Sequence, residues 1–444
     1  MTGSSPMTGK ACDGMRSENH VLISRFIRYV IPSVLAFALS GVYAIVDGYF
    51  VGNKVGDAGI TAINLVYPAV ALTQALGTGI GMGGAVWYSL QRASARQEEA
   101  DRYVGVTAAY LLMAAAAVTA AFLPATPLFL DMLGASGVVR EYGKVYLVIV
   151  MSGAVCQIFG TGVTPMVRNC GGSGFSMVIM TAGFITNVVL DFLLIWVWDK
   201  GVAGAAAATV AGQLVTAVGG VGFLVKKKLP VGRLRFCGRC FSSITKIGLS
   251  AFGVTLCPNI SLLLLNLFLM KYGGDQAVAC YAVVSYASCI VYLMLQGVGD
   301  GCQPLFSDYY GKGDLKSLEK VQTIAFAAAE AVGVLCFGLL FLTRNHIGSL
   351  FGASPKVCAA VADRMPVILA GFLFLAAARV VTSGFYATGQ SGRSVVLVYA
   401  EEVFLLALLL ILPGYFGETA VWWSMSGAQM LVGVWAVVMG VRSR

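Results

Sequence analysis

Twelve apolar segments, each long enough to cross a lipid bilayer, constrain what this chain can fold into. An α-helix needs about 20 apolar residues to cross the roughly 30 Å hydrocarbon core of a bilayer. Within that core a helix satisfies its backbone hydrogen bonds inside its own segment. The sequence therefore predicts an all-α polytopic membrane protein whose twelve transmembrane helices lie at approximately 28–52, 59–90, 103–123, 139–166, 175–198, 202–225, 247–270, 277–308, 320–343, 357–385, 394–413 and 418–440.

The composition excludes a soluble globular protein. Hydrophobic residues make up 58% of the chain and charged residues only 11%, whereas a soluble domain carries about 25% charged residues. If the N-terminus is cytoplasmic, most of the 30 Lys and Arg residues are assigned to the inner side, Arg168 among them, and Arg379 is the one base left in the membrane. The positive-inside rule then predicts a multi-pass protein of the cell inner membrane with both termini in the cytoplasm.

A basic stretch at 226–246 divides the chain into two halves. We interpret its charge as a solvated face held near anionic lipid, and we expect no nucleic-acid partner. The predicted organisation is an irregular cytoplasmic tail at 1–24, an N-lobe of helices 1–6 at 25–225, the basic cytoplasmic linker at 226–246, and a C-lobe of helices 7–12 at 247–444.

An internal repeat supports the division into two pseudo-symmetric six-helix lobes. Because six is an even number, the halves share one topology and are related by an axis along the membrane normal. The repeated glycines lie inside predicted helices, which argues against a phosphate-binding loop; they either let helices pack closely or line a transport path. A shift of 218 positions aligns Gly79, Gly81, Gly83, Gly153 and Thr164 with Gly297, Gly299, Gly301, Gly371 and Thr382.

Polar side chains within the first half form the first candidate site. Asn187 and Asp191 are one helical turn apart on helix 5 and share a face,. An acid at the centre of a spanning helix costs roughly 2.5 to 3.5 kcal/mol on insertion scales, so it persists where it is used or paired. Counted along their helices, six polar residues lie at a similar depth in the membrane: Tyr43, Asp47, Tyr146, Asn187, Asp191 and Thr209. Their oxygen atoms are suited to bind Na⁺ or a proton shared by two carboxylates.

The second half does not repeat this site, because Leu265 and Leu409 align with Asp47 and Asp191. Some of its own acids are expected to neutralise Arg379, which leaves one to contact a cationic substrate. The candidate substrate residues are Asp300, Glu330, Glu401 and Glu402.

No enzyme chemistry is indicated. The only histidines are His20 and His346, and the apolar segments contain no metal-ligand cluster and no nucleophile with an adjacent base,. No ATP-binding motif is present either, so we expect transport to be driven by an ion gradient and to need no cofactor.

These motifs resemble those of the multidrug and toxic compound extrusion (MATE) transporters. The likeness covers nearly all of the chain after residue 25. It includes the pattern from Tyr43 through Asp47 to Gly52, and Asn187 and Asp191 followed by Gly201 to Thr209, as well as Gln303-Pro304-Leu305 with Tyr310-Gly311. The resemblance implies a V-shaped, two-lobed exporter that exchanges Na⁺ or H⁺ for organic cations.

The resemblance also implies a role for each residue of the first site. Asp47, Asn187, Asp191 and Thr209 would be cation ligands, with Na⁺ as the only metal, and Tyr43 and Tyr146 would support them in a DinF-like manner. No carboxylate occurs at 245–270, where some members carry a C-lobe acid.

The leading hypothesis is a monomeric secondary antiporter for multidrug efflux that works by alternating access. The alternative is a flippase of the same superfamily, acting on a lipid-linked sugar or peptidoglycan precursor. A flippase would need a basic cavity for a pyrophosphate group, whereas the charges predicted within this membrane domain are mostly acidic.

Overall fold

The structure is a computed structural model that describes residues 8–351 and 353–442, with side chains from residue 19 onward except that of Ala44. No strand occurs among these residues. In chain order the helices are α1 Thr8–Lys54, α2 Asp57–Ala93, α3 Gln97–Met132, α4 Gly137–Ser152, α5 Ala154–Asn169, α6 Ser173–Asp191, α7 Gly201–Lys226, α8 Gly238–Gly311, α9 Leu315–Leu350, α10 Pro355–Ala387, α11 Ser391–Ile411, α12 Pro413–Phe416 and α13 Glu418–Arg442.

The helices account for twelve membrane crossings. In the described part of the chain, ten helices are long and apolar enough to span, and α4 with α5 forms an eleventh span bent by 57°. The 74 residues of α8 would extend about 110 Å as one straight helix, far beyond a bilayer,. Gly274, with φ 66°, breaks α8 into two limbs, 238–273 and 275–311, and so supplies the twelfth crossing,. The twelve-helix prediction is confirmed.

The helices form two lobes, α1–α7 and α8–α13, which meet mainly where α1 and α2 pack against α8. We call the end of the bundle that holds residues 8 and 442 the termini end. There Phe26 and Val30 of α1 and Val86 of α2 share one hydrophobic core with Val298 and Phe306 of α8. Apolar burial therefore seals the lobes together at the termini end.

Four of the repeated glycines, Gly79 and Gly83 with their counterparts Gly297 and Gly301, lie where the lobes approach each other. A Cβ atom at Gly83 of α2 would lie 2.2 Å from the carbonyl oxygen of Ile244, in the other lobe. A Cβ atom at Gly301 of α8 would lie 2.9 Å from the Cα atom of Val30. Gly83 and Gly301 are related by the repeat, so each lobe has a glycine at the equivalent position where it packs closely against the other lobe. Of the two alternatives for these glycines, the structure supports close helix packing.

Three boundaries differ from the predicted ones. The predicted tail at 1–24 is helical from Thr8 onward, while residues 1–7 lie outside the described residues. The predicted helix 4 is two helices that meet at Gly153. The linker is shorter than predicted, because α7 ends at Lys226 and α8 already begins at Gly238. Hydropathy does not mark these points, since the helices continue beyond the apolar segments.

Candidate cation site

The six polar side chains predicted for the first half do lie together. They project into the N-lobe from α1, α4, α6 and α7. The carboxyl groups of Asp47 and Asp191 are in contact, and Asn187 Nδ2 donates to Thr209 Oγ1 at 3.5 Å. The Tyr43 and Tyr146 phenols lie against the same Thr209 hydroxyl. Depth along the helices was therefore sufficient to predict the cluster.

Local structure fixes the position of Asp191. It is the last residue of α6, and the chain continues as a π-helical turn over Phe192–Val197. Such wide turns are frequent at functional sites because they redirect side chains and free backbone groups. The Asp191 side chain is fully buried, and stacking of Tyr43 on Phe184, at 5.1 Å between ring centroids, joins α1 to α6 nearby. The apolar sequence of this segment gave no sign of the turn.

Four buried oxygen atoms in the cluster lack a hydrogen-bond partner among the described residues. They are Asp47 Oδ1, Asn187 Oδ1 and both carboxylate oxygens of Asp191. Ionised carboxylates only accept hydrogen bonds, so two that touch cannot satisfy each other. Leaving such groups buried and unpaired is costly. The arrangement is therefore suited to hold a proton between the carboxylates or a hard cation among the oxygens.

The equivalent positions of the C-lobe are apolar core. Leu265 and Leu409, which the repeat relates to Asp47 and Asp191, are both buried within its main hydrophobic cluster. Leu405, related to Asn187, belongs to the same cluster. The described C-lobe thus contains no copy of the oxygen cluster at these positions.

The acids of the second half do not form one site. Asp300 lies at the contact between the lobes, where its Oδ2 atom is 3.2 Å from Arg168 Nη2 and its Oδ1 atom accepts a hydrogen bond from Tyr386. Arg168 was predicted on the inner side, beyond the end of predicted helix 4, but it lies inside a helix and is buried. The last turn of α5 packs against the other lobe, so that Arg168 is only 3% exposed. The membrane domain therefore contains a second buried base.

Arg379 is neutralised by Glu401, as expected for one of the acids. Their closest nitrogen and oxygen atoms are 3.4 Å apart, and Arg379 also donates to the Tyr292 hydroxyl. Glu402 Oε1 accepts a hydrogen bond from Ser261, while Glu402 Oε2 is buried and has no partner in the described chain. Glu330 lies apart on α9 and is partly buried. Of the four acids, Glu402 is the one with a free buried oxygen.

An amide pair beside Arg168 escaped the sequence analysis. Asn169 and Gln303, from opposite lobes, donate to each other's oxygen atoms at 2.7 and 3.2 Å. Gln303 stands one helical turn after Asp300 and shares its face of α8, whereas Asn169 directly follows Arg168 on α5,. The i, i+3 spacing of Asp300 and Gln303 was the available signal.

Comparison with known proteins agrees with this architecture. The MatE family model matches residues 32–193 and 251–414. The multidrug export protein MepA of Staphylococcus saprophyticus is 23% identical over 427 residues, which covers 95% of this chain and 94% of that protein.

Solved structures share the fold. A MOP superfamily transporter from Pyrococcus furiosus superimposes with a TM-score of 0.89 at 20% identity, covering 94% of this chain and 95% of that one. An outward-facing multidrug resistance MATE transporter superimposes with a TM-score of 0.87 at 21% identity, with the same coverage.

Proposed function

The chain belongs to the MatE family of transporters, and from this premise we propose that it is a secondary active antiporter that exports drugs by alternating access in exchange for H⁺ or Na⁺. The observation that carries the proposal is the set of unpaired oxygens on Asp47, Asn187 and Asp191. A coupling site must bind its ion reversibly, and these oxygens lack a competing donor within the described residues.

The coupling ion acts by relieving repulsion. When the site is empty, the carboxylates of the half-buried Asp47 and the fully buried Asp191 repel each other,. A proton or Na⁺ holds them together, with Asn187 and Thr209 as further ligands and Tyr43 and Tyr146 as supports. Because Asp47 is on α1 and Asp191 on α6, loss of the ion favours an arrangement in which α1 moves away from α6.

The structure corresponds to a state closed at the termini end. The apolar seal and the Arg168–Asp300 and Asn169–Gln303 contacts join the lobes there. With the termini in the cytoplasm, as the bases predict, this is a state closed to the cytoplasm. The cation cluster lies in the other half of the bundle, since Asp47 is about 10 Å from the end of α1 at Lys54,.

The proposed substrates are small organic cations. MepA is named as a multidrug export protein, and Glu402 supplies a buried carboxylate oxygen without a partner among the described residues. Both buried arginines are ion-paired, Arg168 with Asp300 and Arg379 with Glu401. Neither is available to bind a pyrophosphate group, so the geometry does not favour the flippase alternative. We place the protein in the inner membrane as a monomer.

Transport in proteoliposomes tests this function. The protein would be reconstituted with a fluorescent organic cation as cargo, and Na⁺ and pH gradients would be imposed separately. Wild type should accumulate the dye against its gradient under one of the two. Asp191→Asn should abolish accumulation of the dye. The variant should remain folded, with an unchanged elution profile in gel filtration, and should still bind the dye.

Asp199→Asn is the matched control, because it makes the same chemical change in a side chain that is 78% exposed. It should transport as wild type does. Full uphill transport by Asp47→Asn and Asp191→Asn variants, with unchanged ion dependence, would show that coupling does not use this site.

A further inference from the structure

A cavity of about 530 Å³ lies on the side of the N-lobe near the termini end. Its walls come from α1, from the turn between α5 and α6, and from the end of α7. None of the cation-site residues lines it. The cavity is therefore separate from the proposed coupling site, and its chemistry is different.

Two bases line this cavity without an acidic partner. Arg28 and Lys227 are both exposed, and neither forms an ion pair with any described side chain. Lys227 instead rests over the Phe223 ring, 5.7 Å from its centroid. By contrast, Arg25, which precedes Arg28 by three residues on α1, pairs with Asp308. Positive charge is thus collected at the cavity and is not neutralised within it.

Backbone donors add to this charge. The N-terminus of α6 opens into the cavity at Ser173 and Gly174, and its N-cap residue, Gly172, has no side chain to cap the first N–H groups. The first N–H groups of a helix have no partner within the helix, and the helix dipole adds partial positive charge there. Helix N-termini of this kind bind phosphate groups.

The remaining walls are apolar and lead to the lipid-facing surface. Phe175 and Phe223 stack at 4.9 Å between ring centroids and line one side. Ile27 and Ile31 line the other and are 48% and 50% exposed. An occupant with a negative head and an apolar tail would satisfy both parts of the cavity.

We propose that this cavity binds an anionic phospholipid of the leaflet at the termini end. The headgroup phosphate is held by Arg28, Lys227 and the N-terminus of α6, and an acyl chain lies along Ile27, Ile31 and Phe175. Basic pockets between helices at this depth suit such headgroups. Pro32 of α1 also lines the cavity, and a proline inside a helix weakens its hydrogen bonding. The lipid therefore contacts α1 where the helix lacks one backbone donor.

Native mass spectrometry with added phosphatidylglycerol or phosphatidylcholine tests the site. Wild type should retain phosphatidylglycerol in preference to phosphatidylcholine. The double variant Arg28→Gln with Lys227→Gln should bind phosphatidylglycerol about 30-fold more weakly, since each base near an anionic surface contributes about 1 kcal/mol. The control double variant Lys226→Gln with Lys228→Gln removes the same charge from neighbouring positions outside the cavity and should bind as wild type does.

A second variant tests the space inside the cavity without changing its charge. Gly174 lines the cavity, and a Cβ atom there would meet nothing within 4 Å. Gly174→Phe should therefore fill the space and reduce lipid retention with both bases intact. The proposal is overturned if the two double variants lose binding equally or if both lipids bind equally. It is also overturned if inorganic phosphate raises the thermal stability as much as phosphatidylglycerol does, because the site would then serve a free anion.

Discussion

Replacing Asp300 by Asn is expected to weaken the contact between the lobes at the termini end. The substitution keeps the size of the side chain and an oxygen that can accept from Tyr386. It removes the negative charge that lies 3.2 Å from Arg168 Nη2. Arg168 then remains buried as an uncompensated cation for as long as the lobes are closed. When the lobes separate there, Arg168 meets water and this cost disappears.

The size of the effect follows from the burial of the pair. Breaking a buried ion pair on one side costs about 3 to 5 kcal/mol. Because the pair joins α5 of one lobe to α8 of the other, the cost falls on the closed state and not on either lobe alone. At about 1.4 kcal/mol per factor of ten, 3 kcal/mol changes the equilibrium about 150-fold. A protein closed in a ratio of 99 to 1 would fall to about an even mixture.

Distance measurements between spin labels test this expectation. The labels would be placed at Arg96→Cys and Lys316→Cys, which are both exposed at the termini end on different lobes. In Asp300→Asn, the distance distribution between them should contain a second, longer distance. Glu401→Gln is the matched control, because it breaks the Arg379 pair inside the C-lobe. It should lower thermal stability and leave the label distance unchanged.

A double-mutant cycle gives the refutation. Arg168→Gln combined with Asp300→Asn removes both charges, so the double variant should regain much of the closed population lost in either single variant. Purely additive effects, or an unchanged distance distribution in Asp300→Asn, would show that the pair does not hold the lobes together.

Three further predictions follow from the packing and the cation site. Thr209→Ala removes one ligand hydroxyl and should weaken coupling-ion binding by about fivefold, in line with about 1 kcal/mol per hydrogen bond; ion titration of transport would measure it, and Asp199→Asn serves as control. Gly83→Ala places a Cβ atom 2.2 Å from the Ile244 carbonyl oxygen and should open the termini end, whereas Gly222→Ala, with nothing within 4 Å, should be neutral or slightly stabilising,; thermal melting and label distances would separate the two. Leu265→Ala should cost about 2 to 5 kcal/mol of stability by leaving a cavity, yet keep the ion dependence of transport, and a changed ion dependence would contradict the assignment of that position to apolar core.

The membrane crossings could be predicted from the sequence because the hydropathy and length of a segment decide whether it can span a bilayer. A run of apolar residues of spanning length is sufficient to identify a helix, whatever it packs against. The cation cluster was predictable for a related reason. Acids such as Asp47 and Asp191 are conspicuous in apolar helices, and rise per residue gives their depth.

What the sequence left open depends on contacts between distant parts of the chain. Arg168 stands at the end of an apolar segment and looked like a loop residue, but Asp300, 132 positions away, buries it. The π-helical turn at Phe192–Val197 leaves no mark in hydropathy. Which carboxylate oxygens lack a donor is likewise a property of the packed helices, since it depends on the side chains that surround them.

The two halves share their packing but not their polar site, and this asymmetry constrains the mechanism. An ion bound at Asp47 and Asp191 acts directly on the N-lobe alone, because Leu265 and Leu409 fill the equivalent C-lobe positions. The effect on the other lobe must pass through an N-lobe helix that packs against α8, and α1 is the one that also carries a residue of the site. It carries Asp47 and, about 25 Å away, the Val30 contact with Gly301 of α8,. An ion can shift the lobe equilibrium only if it prefers one arrangement of α1. The proposed antiport mechanism therefore requires that displacement of α1 at Asp47 be transmitted to its contact with α8.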